Sequence, residues 1–302
     1  MQNPLIFDVK RYAINDGPGI RVTIFLKGCN LNCTWCHNPE SISPAVQKMY
    51  NKDKCIGCGT CVEACPTNAI TLTPNGIVTD TELCNLCGKC AEVCPTEATQ
   101  MSGRETSIDE IMNIIEKERT FFDQSGGGVT FSGGEPLMHS SFLIKLLDAC
   151  GERGIHRVVD TAGLAKTETL LEVAKRTELF LFDLKLIDSI RHKKWTSVSN
   201  NKILENLKIL AESGAQIIIR IPLIGGVNDD DENIKGTARF ISELAGNKKH
   251  INLLPYHNIA QKKYEKLGRI NSNDKMIEPT QPRQQEIIKL FAQYGLTAEI
   301  GG

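Results

Sequence analysis

The sequence predicts an α/β fold of parallel βαβ units, closed or partly closed into a barrel and interrupted by a small cysteine-rich insertion. Three observations carry this. Short apolar runs alternate with amphipathic ones from residue 107 to residue 294, the pattern of strands joined by crossover helices. Polar and Gly-rich residues fall at the C-terminal ends of the apolar runs, where parallel barrels build their sites. No G-x-G-x-x-G turn follows a first strand, as a two-sided dinucleotide-binding sheet would require. Eleven of the twelve cysteines lie between residues 29 and 94, and metal or cluster ligation explains such crowding best in a chain with no secretory signal.

Taken in order, Asp16-Gly17-Pro18-Gly19 is turn chemistry, since Gly permits positive φ and Pro fixes its own. It leads through Ile20-Arg21 into an apolar strand over 22–26. Directly after that strand stands Lys27-Gly28-Cys29-Asn30-Leu31-Asn32-Cys33-Thr34-Trp35-Cys36-His37-Asn38, three cysteines at C-x3-C-x2-C spacing. Beyond the insertion, Ser107-Ile108-Asp109-Glu110 is a capping box opening a helix with Ile111, Ile114 and Ile115 on one side. A strand over 129–131 runs into Ser132-Gly133-Gly134-Glu135-Pro136. The next helix carries Phe142, Leu143, Leu146, Leu147 and Cys150 on one apolar face, which makes Cys150 a buried small hydrophobe. Further strands are expected over 158–160, 179–185, 216–221 and 251–257, with helices over 168–176, 202–212, 231–244 and 284–294. Side chains alternate along a strand, so Asp183 and Lys185 share a face at the barrel mouth, paired with each other or bound to ligand. Asp160, Arg220 and His257 stand near neighbouring strand ends.

The charge balance, 35 Lys+Arg against 36 Asp+Glu, gives no electrostatic case for nucleic acid or an acidic membrane. No stretch approaches the roughly 20 apolar residues of a membrane span. A cytoplasmic location is expected. Residues 51–100 read as an insertion into a domain made of 1–50 and 101–302. Within it C-x2-C-x2-C-x3-C-P occurs twice, the bacterial ferredoxin spacing, in which the fourth cysteine serves the other run's cluster. That assigns Cys55, Cys58, Cys61 and Cys94 to one four-iron cube, and Cys84, Cys87, Cys90 and Cys65 to another. Structural zinc is the alternative, but zinc sites take cysteines in pairs. Two filled cubes suit electron transfer. Cys29, Cys33 and Cys36 hold three corners of a third cube and leave one iron open to a small molecule.

In this ordered company the sequence resembles a radical S-adenosylmethionine (SAM) enzyme, and more narrowly the glycyl-radical-enzyme activating enzymes, the pyruvate formate-lyase activase family. The motifs that carry the resemblance are Asp16-Gly17-Pro18-Gly19-Ile20-Arg21, the three-cysteine loop through His37-Asn38, Ser132-Gly133-Gly134-Glu135, Asp160-Thr161, Asp183-Leu184-Lys185 and Leu253-Leu254-Pro255-Tyr256-His257. The resemblance implies a partial (β/α)6 barrel, open on one side to admit a protein loop. It implies SAM on the open iron of a 4Fe-4S cluster, three clusters in all, and a monovalent cation beside the SAM carboxylate. The Gly133-Gly134-Glu135 stretch would hold the methionine amino group by backbone. Trp35 and His37 would line the adenine. Asp160, Thr161, Asp183 and the Leu181 carbonyl would surround the carboxylate and cation, with Leu184 beside them. Lys185, Arg220 and His257 would contact the carboxylate, ribose or sulfonium. Asp16 and Arg21 would lie toward the peptide substrate. The implied reaction is hydrogen abstraction from a glycine Cα of a partner glycyl radical enzyme, with a flavodoxin or ferredoxin-type electron donor and a monomeric activase. Short activases lack the insertion, which points to a dehydratase, decarboxylase or related lyase as partner. A radical SAM enzyme acting on a small molecule is the alternative, and a ferredoxin-like carrier a third reading. The Asp-Gly-Pro-Gly-Ile-Arg run speaks against the small-molecule alternative.

Overall fold

The computed structural model describes residues 4–246, 249–269 and 276–301. Its strands are β1 (Leu5–Ala13), β2 (Arg21–Leu26), β3 (Gln47–Tyr50), β4 (Ile70–Thr73), β5 (Gly76–Thr79), β6 (Thr99–Ser102), β7 (Arg104–Glu105), β8 (Gly128–Gly133), β9 (His156–Thr161), β10 (Leu179–Asp183), β11 (Ile217–Leu223), β12 (His250–Pro255) and β13 (Thr297–Ile300). Nine of them form one sheet in the order β13-β12-β11-β10-β9-β8-β2-β1-β7. From β2 to β13 every pairing is parallel, while β1 runs antiparallel to β2 and to β7.

Period-two alternation sets the two faces of this sheet. Val22, Ile24, Phe131, Val159, Phe180, Phe182, Ile219 and Leu253 enter the main apolar core. Their neighbours Phe25, Ser132, Asp160, Asp183, Arg220 and Leu254 line a cavity on the other side. The helices Ile108–Glu116, Ser140–Gly151, Thr167–Ala174 and Asn201–Glu212 pack in succession over the apolar face, as do Asp231–Ser242 and Gln281–Gln293. Helices cover one face and the other is left to the site. No described helix is long and apolar enough to cross a membrane.

The capping box is formed on both sides: Glu110 N donates to Ser107 Oγ at 3.1 Å and Ser107 N to Glu110 Oε2 at 2.8 Å. Ser107→Ala is expected to cost about 1 kcal/mol, read as an earlier denaturation midpoint. Cys150 is fully buried, its Sγ 3.6 Å from Met112 Sδ.

The structure differs from the expectation in several places. A seventh parallel strand, β13, follows the six expected ones, and β1 precedes them. The helix Ser189–Thr196 was not expected; Asp188 caps it, its side chain accepting from Arg191 N. β10 stops at Asp183, β11 runs through Pro222 to Leu223, and β12 stops at Pro255. The cysteine-rich segment rises from two antiparallel rails, β3 and β6, and contains the β4–β5 hairpin. Its own buried cluster is Ile70, Ile77 and Cys90.

Candidate functional site

The cavity on the open face of the sheet measures about 500 Å³. The three-cysteine loop forms one wall. Gly28 leaves β2 at φ 102°, a left-handed value that favours Gly, and its N donates to Ser41 O at 2.7 Å. Cys29 N donates to Ile42 O, Asn32 N to Thr196 O and Thr34 N to Trp195 O, at 2.9 to 3.1 Å. Asn30 Nδ2 reaches Leu164 O at 2.7 Å. The unexpected helix Ser189–Thr196 thus holds the loop at its C-terminal end. Gly134 packs so closely that a Cβ there would meet Gly28 O at 2.1 Å.

Cys29, Cys33 and Cys36 all line the cavity, and no other cysteine does. Burial pushes the Cys29 and Cys36 thiols up to about 12, and raises Cys33 as well. Such thiols stay protonated until a metal charge draws the protons off. Three thiols with no fourth at the wall fit a cube with one open iron.

The charged strand residues line the same cavity. Lys185 Nζ donates to Asp183 Oδ2 at 2.7 Å. Burial pulls its pKa down, Asp183 and Cys33 pull it up, and the net shift is upward. Arg220 Nη1 lies 3.5 Å from Asp160 Oδ2 and 4.0 Å from Asp16 Oδ1. Its Nε and Nη1 are buried and make no hydrogen bond among the described residues, while the side chain as a whole lines the cavity and brings a positive charge to it. Asp160 is pushed up to about 6 by burial, opposed by Arg220 and aided by Asp183. Asp16 is held by Thr23 Oγ1, which donates to its Oδ2 at 2.7 Å. Trp35, His37, Gly133, Gly134 and Thr161 complete the set of expected residues that line the cavity.

Four expected residues do not reach it. The Glu135 carboxylate turns inward, accepting from Thr161 Oγ1 (2.6 Å), Leu137 N (3.1 Å) and Ala162 N (2.9 Å). The Leu184 side chain sits in the apolar core, its N bonded to Arg220 O at 2.8 Å. His257, beyond the end of β12, is half exposed and faces Glu278 at 3.7 Å. Arg21 is fully buried at the start of β2, bonded to Pro18 O, Thr130 Oγ1, Val129 O and His156 O. It fixes the Asp16-Gly17-Pro18-Gly19 turn. Residues that line the site without having been singled out include Ser132, which donates to Asp160 Oδ2 at 2.7 Å, and Tyr256, whose ring lies 6.0 Å from His37. Asp8 and Lys10 of β1 stand at the edge. Ser132 could have been found from its place one residue after an apolar strand.

Glu135 carries a pH signature. Burial raises it from the ordinary 4.5 to about 7. Between those values the folded chain holds a proton that the unfolded chain has lost, so this group's contribution to stability falls as pH rises through the window. Glu135→Gln is expected to flatten that slope in denaturant titrations from about pH 5 to about pH 7.5.

In the insertion, one small cavity is walled by Cys55, Cys58, Cys61 and Cys94, and a second by Cys65, Cys84, Cys87 and Cys90. These are the two crossed quartets read from the spacing.

The profile of the Radical SAM superfamily matches residues 23–238. The chain is 44% identical over 303 residues to the trans-4-hydroxy-L-proline dehydratase activating enzyme of Clostridioides difficile, spanning 99% of this chain and 100% of that one. It is 40% identical to the choline trimethylamine-lyase activating enzyme of Oleidesulfovibrio alaskensis, over 87% of each. Among solved structures, a domain of pyruvate-formate lyase-activating enzyme from Bacteroides vulgatus superposes with a TM-score of 0.51 at 47% identity, covering 58% of this chain and 99% of that domain.

Proposed function

The chain belongs to the radical SAM superfamily and, within it, to the activating enzymes of glycyl radical enzymes, and on that premise we propose how its residues divide the work. Cys29, Cys33 and Cys36 hold the reactive 4Fe-4S cluster. When bound, that cluster and SAM supply a 5′-deoxyadenosyl radical by one-electron cleavage, and the radical takes a hydrogen atom from a glycine Cα of the partner. Arg220 is the anchor for the SAM carboxylate, supported by its positive charge in the wall of the cavity that the three cysteines share. Lys185 is set by Asp183 against the same group. Asp160 and Asp183, which line the same cavity, receive a monovalent cation. Trp35, His37 and Tyr256 exclude water on the adenine side. Gly133 and Gly134 present backbone to the amino group. Asp16, with Asp8 and Lys10 at the edge of the cavity, faces the protein substrate. Glu135 acts from behind, fixing the end of β9 through Thr161 and Ala162.

The insertion is read as a ferredoxin-like unit with two more clusters, three in all. Four cysteines around each small cavity support this. The electron donor is of the flavodoxin or ferredoxin type and the activase is a monomer. The partner is a dehydratase or lyase of the kind named for the relatives above.

The observation that carries the reading is that Cys29, Cys33, Cys36 and Arg220 line one cavity. Its test is anaerobic incubation of the reconstituted enzyme with SAM, a reductant and the candidate partner. A glycyl doublet in electron paramagnetic resonance is expected. Deoxyadenosine formed without a doublet in any dehydratase or lyase partner would refute the assignment.

A further inference from the structure

We propose that Lys48 makes the two insertion clusters electronically unequal, raising the reduction potential at Cys65, Cys84, Cys87 and Cys90 above that at Cys55, Cys58, Cys61 and Cys94. The inference rests on the three-cluster reading above. The two cavities come from two runs of one repeat, so their differences are few. Thr67 and Thr96 follow the two Cys-Pro steps alike, with hydroxyls 3.7 Å from Cys65 Sγ and 3.9 Å from Cys94 Sγ. Each quartet takes one more weak donor: Ala69 N lies 3.3 Å from Cys65 Sγ, and Thr60 Oγ1 3.4 Å from Cys58 Sγ. The Tyr50 hydroxyl adds a further contact at Cys55, so hydrogen bonding by itself favours the Cys55 quartet and the inequality proposed has to come from charge.

Charge does not balance. No charged side chain lines the Cys55 cavity, whereas Lys48 and Lys89 line the other, and a carboxylate lines neither. Lys89 is exposed and screened by water and salt. Lys48 is half-buried, its ammonium fixed by a 2.7 Å hydrogen bond to Thr79 Oγ1. One electron adds one negative charge to a cube, and a cation held close in low dielectric stabilises it. The charge of Lys48 also reaches Cys61 of the other quartet. Its effect is therefore shared but unequal, greater where Lys48 forms the wall.

Position gives the inequality a use. Lys48 pairs with Met101 across the β3–β6 rails, and both line the Cys84 cavity. The rung next to it is Gln47 with Ser102, and both accept from Lys27 Nζ, at 3.0 and 3.4 Å. Lys27 stands two residues before Cys29. The other cavity takes its wall from the rung of Tyr50 with Thr99, two residues farther out, or about 7 Å at strand spacing. The quartet beside Lys48 is thus the nearer to the three-cysteine site. An electron from the one-electron donor, which is oxidised by one as the cube is reduced by one, rests there beside the reactive cluster.

The test is a redox titration of the full chain, reconstituted with iron and sulfide in a Cys33→Ala background and followed by electron paramagnetic resonance. Two separate midpoints are expected. In Lys48→Met the higher midpoint falls and the gap narrows, Lys48→Arg keeps the gap, and Lys89→Met moves it less. A single shared midpoint in the parent, or unmoved midpoints in Lys48→Met at full iron content, would overturn the inference and leave the proposed function standing. Loss of iron in Lys48→Met would assign the residue a structural role instead. An insertion without iron in the parent would overturn the three-cluster reading and this inference together.

Discussion

Cys33→Ala is expected to abolish glycyl radical formation in the partner while leaving a folded protein. The shape of the loop rests on backbone bonds to Ser41, Ile42, Trp195 and Thr196, none of which involves the Cys33 side chain. The substitution removes one of three thiolates around a cube, and with it roughly four of about twelve irons per chain. Iron assay and electron paramagnetic resonance on the anaerobic protein read both losses. The insertion quartets stand in other cavities and keep their share. A Cys33→Ala protein that still yields the glycyl doublet would remove the loop from the chemistry and revive the electron-carrier reading.

Arg220→Met is the second large effect. The guanidinium is buried between Asp160 and Asp16, and its charge is the main opponent of burial at Asp160. Without it the carboxylates are left uncompensated, and breaking a buried pair on one side costs about 3–5 kcal/mol. Asp160 is expected to move further up, so the variant loses stability more steeply than the parent as pH rises from about 6. SAM binding weakens as well. One charge-assisted hydrogen bond contributes about 1.5–3 kcal/mol, or roughly 10- to 150-fold in Kd. Equilibrium dialysis measures the second effect and denaturant unfolding the first. Arg220→Lys restores the charge without the planar fork and is expected to recover stability more than affinity.

The sequence revealed strands with clean alternation and missed those without it. β11 and β12, rich in Ile and Leu, could be read directly. β1 has register shifts between Ile6 and Asp8 and between Lys10 and Ala13, and these bulges break its period-two pattern. β13, Thr297-Ala298-Glu299-Ile300, is a short and largely polar edge strand. The helix Ser189–Thr196 has little apolar face, because its task is to hold the cysteine loop by two carbonyls, and only the Asp188 cap announced it. The site was legible where chemistry sits at a strand end, as with Asp160, Asp183 and Arg220. It was misjudged where the chain turns. Two residues past the end of β12, His257 leaves toward Glu278, and Tyr256 takes the wall instead. Glu135 was expected to act through its backbone, and the inward turn of its carboxylate, which secures β9 through Thr161 and Ala162, had no signal in the sequence.

The small apolar nucleus of the insertion, Ile70 with Ile77 and Cys90, has a consequence for how the molecule comes apart. The nine-stranded sheet and its helices carry their own extensive core and hold their shape by themselves, whereas three residues are too few to fold a segment of this length unaided. Chelation or air should therefore make the chain perishable in one place only. Protease would cut between Tyr50 and Thr99 and spare the rest, giving two fragments that stay together through the sheet. On the reading proposed above, a preparation that has aged this way would keep the three-cysteine cavity intact and would have lost the insertion alone.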